Sequence, residues 1–188
     1  MSTSVSPSSL PLAAGAWTLD PAHSGVNFKV RHLGLTNVRG RFNQFDANLQ
    51  VGNDLASTTF GATIDVKSID TNNSDRDGHL LSTDFFAAEN NPHIAFQSSE
   101  IRDLGDGEYE ADGTLTINGT SNPITLKVEH TGVQVHPGDG KERAGFVATA
   151  EVLRDDFGID FNMPLGVDKF ALGKKIAVEL DIQFTPAG

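Results

Sequence analysis

Most of the chain repeats one arrangement, with apolar side chains at every second position and polar ones between them. Such alternation places the two sets on opposite faces of an extended strand. In 24–32, Val26, Phe28 and Val30 alternate with Asn27, Lys29 and Arg31. In 58–68, Phe60, Ala62, Ile64 and Val66 share one face. Tyr109, Ala111, Gly113, Leu115 and Ile117 form another such set, and after Asn118-Gly119 come Ile124, Leu126 and Val128. An Asn-Gly pair between alternating runs marks a tight turn, so this pair of segments reads as a hairpin. Phe146, Ala148, Ala150 and Val152, then Ile176, Val178, Leu180, Ile182 and Phe184, repeat the pattern. With 39–50 and 93–102, roughly eight to nine strands are expected.

The period changes once, over 74–88. There Leu81 and Phe85 stand four apart, with His79, Ser82 and Phe86 beside them, which predicts one short helix. No segment divides the chain, so the expectation is an N-terminal disordered tail over 1–15 and one all-β, antiparallel domain over 16–188. About eight strands remove their exposed edges by closing into a barrel, whose interior is wide enough for packed side chains or for one small ligand. Periodicity does not choose between these.

Polar residues that share parity with the apolar face are the informative exceptions, because a buried polar group must be paired or used. His32, Ser68, Ser98, His130 and Arg154 each end an apolar series. Strand ends are barrel rims, where such groups meet water or neighbouring backbone. Arg154 stands beside Asp155 and Asp156, so either an adjacent carboxylate or the anionic head group of a ligand could neutralise it. His32, His130 and Arg154, with His79 from the helix, are the polar rim candidates. The candidate apolar lining is Val26, Phe28, Val30, Phe60, Ile64, Phe85, Phe86, Phe96, Leu115, Ile117, Phe146, Phe157 and Ile182.

Composition narrows the chemistry. Twelve phenylalanines accompany one Trp and one Tyr, an aromatic inventory that offers dispersion contacts without polar groups to desolvate. The formal charge of −11 argues against nucleic acid as a partner. With no cysteine there is no disulfide or thiolate chemistry. The six histidines form neither HxH nor HExxH, so no metal site is expected, and GxSxG, GxGxxG and GxxxxGK[ST] are absent. No resident cofactor and no catalytic residue are therefore assigned. The Ser/Pro-rich N-terminus lacks a basic region and no run approaches the ~18 apolar residues of a membrane span, so the expectation is a soluble, cytoplasmic protein that is not integral to a membrane.

Several landmarks, in order, resemble one family. They are Trp17-Thr18-Leu19-Asp20-Pro21-Ala22-His23-Ser24, Val26-x-Phe28-x-Val30-x-His32, Ser68-Ile69-Asp70-Thr71, Asp77-Gly78-His79-Leu80, Asp84-Phe85-Phe86, Pro92-x-Ile94-x-Phe96-x-Ser98 and Arg154-x-Asp156-Phe157-Gly158-Ile159. From Trp17 to Phe184 the chain is similar to the YceI family. The resemblance implies a lipocalin-like antiparallel barrel whose apolar pore takes polyisoprenoid or similar amphiphilic lipids, often in a homodimer. Many relatives are exported, whereas no evident signal peptide is read here. The leading expectation is binding, sequestration or transport of an isoprenoid or quinone-like lipid by a protein that is not an enzyme. Two alternatives remain open: an enzyme acting on a bound isoprenoid or quinone through His32 or His79, and a stress-related interaction module with a filled barrel.

Overall fold

A computed structural model describes residues 9–166 and 169–187. The strands are β1 (Gly15–Leu19), β2 (Gly25–His32), β3 (Thr36–Phe42), β4 (Phe45–Val51), β5 (Thr59–Asp65), β6 (Ile69–Asp70), β7 (His93–Gly105), β8 (Glu108–Ile117), β9 (Thr120–Val135), β10 (Glu142–Leu153), β11 (Pro164–Gly166), β12 (Lys169–Phe170) and β13 (Leu172–Pro186). The α-helix α1 spans Ser74–Leu80.

Among the described residues, eight strands close an antiparallel ring in the order β1-β4-β5-β7-β8-β9-β10-β13, with β13 returning to β1. One edge of β13 is shared. Its Leu172–Asp181 half pairs with β2, and its Phe184–Pro186 end pairs with β1. The β2-β3-β6 extension therefore continues the wall on one side of the closure. The hairpin expected at Asn118-Gly119 is present between β8 and β9, with φ of 53° and 71° at the two residues. These left-handed values suit Asn and Gly, and they match the twist of the flanking strands.

Three boundaries differ from those expected. The run 39–50 is two strands, because Asn43-Gln44 reverses the chain between β3 and β4. The strand beginning near residue 58 stops at Asp65, whose carboxylate accepts from the Lys67 N–H and starts a single 3-10 turn over Val66–Ser68. The helix ends at Leu80 instead of running to residue 88. Asn73 caps its start through the Arg76 N–H, but after Leu80 the Ser82 hydroxyl donates to the His79 carbonyl and accepts from the Asp84 N–H. Local side-chain bonds of this kind compete with the helical ladder and replace it with turns. β1 has no counterpart in the sequence reading, since only Trp17 and Leu19 mark its inward face. Leu10, inside the expected tail, is buried.

Apolar packing is densest at one end of the barrel. Trp17 and Phe184 are each 2% exposed, and Tyr109, Ala144 and Phe146 are buried near them in the same cluster. The Phe184 ring meets Phe146 at 6.1 Å and Phe60 at 6.2 Å between centroids. Asp20 and Arg143 tie the segment after β1 to β10 with a 2.8 Å contact. Higher in the barrel the inward residues Phe28, Val30, Ile64, Ile117, Ile176 and Val178 are only partly buried, although they point to the core side of their strands. Inward parity with incomplete burial is the signature of a hollow interior.

Candidate ligand cavity and its mouth

The hollow is a cavity of about 510 Å³. Each strand of the wall contributes alternate residues, as the period of two requires. Val26, Phe28, Val30, Phe60, Ile64, Phe85, Phe86, Phe96, Leu115, Ile117, Phe157 and Ile182 all line it. Phe146 does not, because it packs in the aromatic stack below Phe60 and Phe184. Two of the rings lie over glycines. A Cβ at Gly40 would stand 2.4 Å from the Phe28 ring, and one at Gly113 would stand 2.5 Å from the Phe96 ring. Absent side chains at these positions let the rings lie against the wall and keep the centre open.

The bottom of the cavity is aromatic, where Phe60 packs on Phe96 with centroids 5.9 Å apart. Its mouth is where polar side chains gather. Thr71, Arg76, His79, His32 and Arg154 line it, and so does Met163, which is 60% exposed. The cavity therefore reaches the surface between α1, the β2–β3 hairpin and the segment that follows β10.

Arg154 is only 6% exposed and lies in the 3-10 turn Arg154–Phe157, which Gly158 terminates at a φ of 71°. Its Nε donates to the Gly173 carbonyl at 2.9 Å. Its Nη1 donates to the carbonyls of Ile159 at 3.0 Å and Phe161 at 2.8 Å. Backbone oxygens take these donors, and no carboxylate among the described residues is bonded to it, so the adjacent carboxylate expected from the sequence is not what holds it. Burial pushes its pKa down, opposed by the charges of Asp155 and Asp160. A guanidinium stays protonated even so, and it brings positive charge to an apolar wall.

Arg76 supplies a second cation. Its Nε donates to the Thr71 hydroxyl at 2.8 Å, its Nη2 donates to the Thr71 carbonyl, and the Thr71 hydroxyl in turn donates to Asp77. Thr71 is thereby fixed although it is 4% exposed. His79 Nε2 lies 2.8 Å from Asp84 Oδ2, and its ring meets the edges of Phe85 and Phe161, each at 5.0 Å. This pair stands at the rim and is the arrangement there most like an acid–base unit.

Of the four polar candidates, His32, His79 and Arg154 converge on the mouth. His130 is elsewhere. Its Nδ1 lies 3.0 Å from the Gly145 carbonyl and its ring stacks on Phe146 at 4.8 Å, where a bulge in β10 shifts the register. Sequence reasoning missed Thr71 and Phe161, which sit in irregular segments, and Arg76, which sits in α1; strand parity carries no signal at any of them. Ser68 and Ser98 bond backbone instead of facing a ligand: Ser68 donates to the Asp65 carbonyl and Ser98 accepts from the Phe60 N–H. Among the described residues no three His, Asp or Glu side chains gather to hold a metal.

The YceI-like domain family matches residues 17–184. A UPF0312 protein of Staphylococcus epidermidis is 39% identical over 170 residues, covering 90% of this chain and 96% of that protein. The crystal structure of a Campylobacter jejuni YceI protein superposes with a TM-score of 0.69 at 31% identity, covering 91% of this chain and 98% of the other. A polyisoprenoid binding domain from Saccharophagus degradans, implicated in plant cell wall breakdown, superposes with a TM-score of 0.66 at 14% identity, over 91% of this chain and 98% of that one.

Proposed function

We propose, from the premise that the chain belongs to the YceI-like family, that it binds and carries one long isoprenoid or similar amphiphilic lipid inside its barrel. The observation that carries this reading is the open cavity of about 510 Å³ with a lining that is apolar below a polar mouth. Each buried methylene of a guest contributes ~0.8 kcal/mol, so a chain of several isoprene units gains affinity without any specific polar contact. The polar end of the guest rests at the mouth, where Arg76 and Arg154 favour an acceptor-rich or anionic group. The fold shared with a domain that its describers call polyisoprenoid binding supports the same class of guest.

Carriage, not chemistry, suits the site, because the polar groups stand at one end and the apolar wall has nothing to transfer a proton. The second reading, an enzyme acting on the bound lipid, is favoured only by the His79–Asp84 pair. Native mass spectrometry of gently purified protein, followed by organic extraction, tests both. The expected result is a co-purifying lipid recovered unchanged, displaced by an added polyprenol. Recovery of no lipid, together with failure to bind a polyprenyl probe, defeats the carrier reading; a probe returned chemically altered supports the enzyme.

A further inference from the structure

Exposed large apolar residues are distributed unequally over this barrel. Leu104 and Val135 stand singly near hairpins away from the mouth, at 54% and 62% exposure, Leu153 stands singly at the end of β10 at 44%, and single exposed residues need no explanation. At the mouth three occur together. Leu33 and Leu35 flank Gly34 at the tip of the β2–β3 hairpin, exposed by 42% and 74%, and Met163 is exposed by 60%. Backbone bonds join them: the Leu33 N–H donates to the Ala171 carbonyl at 2.7 Å, and the Ala171 N–H donates to the Met163 carbonyl at 2.9 Å. His32, Ala171 and Met163 all line the cavity, so the patch and the entrance are continuous.

The hairpin tip is also built against local preference. Leu33 has a φ of 55° and Gly34 a φ of 69°, closed by the Leu35 N–H to the His32 carbonyl at 3.0 Å. Asn, Asp or Gly normally takes the first of these positions, and leucine there costs ~1–2 kcal/mol. An exposed leucine in a strained conformation gains nothing for the fold. From these observations we propose that the Leu33–Leu35 tip and Met163 form a docking surface for a lipid bilayer, through which the guest enters and leaves the cavity. The inference rests on the lipid-carrier reading, because a guest with a long hydrocarbon chain resides in membranes and crosses water slowly. Insertion of the apolar tips is the mode of attachment, since exposed leucine side chains gain by leaving water for the acyl boundary.

The test uses Leu33→Asn/Leu35→Ser, which leaves the cavity lining intact and places Asn where positive φ is natural. Co-sedimentation with phosphatidylcholine vesicles and the rate of taking up a fluorescent polyprenyl probe from them should fall at least about tenfold, the order expected when one or two leucine side chains leave an interface. The thermal midpoint should hold or rise, and affinity for the same probe delivered from cyclodextrin should stay as in the wild type. Added sodium chloride should not release the wild-type protein. Wild type that takes the probe from cyclodextrin but ignores vesicles overturns the docking surface and leaves the carrier reading standing. Wild type that co-sediments while taking no probe by either route, with the double variant failing to co-sediment, supports the surface and defeats the carrier reading. A wild-type dimer that the double variant converts to monomer, without vesicle association, makes the patch a contact between copies and overturns the proposal.

Discussion

Arg154 joins two tasks at one residue. Three of its N–H groups hold the carbonyls of Ile159, Phe161 and Gly173, and in doing so they seat the segment that forms one side of the mouth. Replacing it with Leu keeps apolar volume but leaves those oxygens without donors, at a cost on the order of 3 kcal/mol. Lysine restores the charge but not the planar fork, so Arg154→Lys should recover little of that stability. Urea unfolding of the three proteins measures this directly, and equal stability of the Lys and Arg proteins would show that charge alone matters. The residue was visible in the sequence as a cation on inward parity, but its partners were not. They are carbonyls 5 to 19 positions away, brought near by turns that have no periodicity to read. Arg76 was illegible for the same reason, because it reaches the cavity from the first turn of α1 and not from a strand.

Among the elements, the hairpin of β8 and β9, marked by Asn118-Gly119, was the easiest to foresee, and the outer face it shares with β7 carries the firmest electrostatic consequence. Arg102 donates to both Asp112 and Glu110, and Thr125 of β9 donates to Asp112 at 2.6 Å. These bonds hold the Asp112 carboxyl at about 2, below its ordinary range, with the Arg102 bond the largest cause. A carboxyl whose pKa is lower in the folded state than in the unfolded one stabilises fully above the unfolded value, and that contribution disappears as pH falls toward the folded value. The window for Asp112 thus runs from about pH 4 down to about pH 2. In Asp112→Asn the decline of the urea midpoint across that window should be shallower than in the wild type. Identical slopes would mean that the pairing is already lost to solvent. Helix α1 was less legible than the strands. Leu81 and Phe85 suggest continued helix by spacing, yet Ser82 and Asp84 redirect the backbone, and the resulting turns place Phe85, Phe86 and His79 over the mouth.

For the molecule as a whole, the alternation of apolar and polar residues specified a closed antiparallel sheet but was silent on whether the sheet encloses side chains or space. Phe28 and Phe146 have the same parity and the same chemistry, and one lines the cavity while the other fills the closed end. What separates them is what the fold brings against each ring: His130 and Phe184 for Phe146, Gly40 and Phe42 for Phe28, a long-range property. Phe28 also supplies the decisive experiment. In a filled core, its truncation to Ala leaves a void costing ~3–5 kcal/mol. Here the ring is partly exposed to the cavity, resting on Gly40 and packing on Phe42 with centroids 5.5 Å apart, so one side already lacks partners. The loss of stability in delipidated protein should therefore stay below about 2 kcal/mol, since only part of the aromatic surface leaves a packed contact. A guest that touches the ring loses those contacts in the variant, and its affinity should fall. Linkage makes the comparison sharper: a ligand that binds only the folded state at 100 times its Kd adds ~2.7 kcal/mol to stability. Wild type should thus gain more in thermal midpoint from a polyprenyl probe than Phe28→Ala does at the same probe concentration, although the two differ little without it. A large difference in the absence of probe, with no gain for either in its presence, would mean that the interior closes in solution and that the barrel acts through its outer surface.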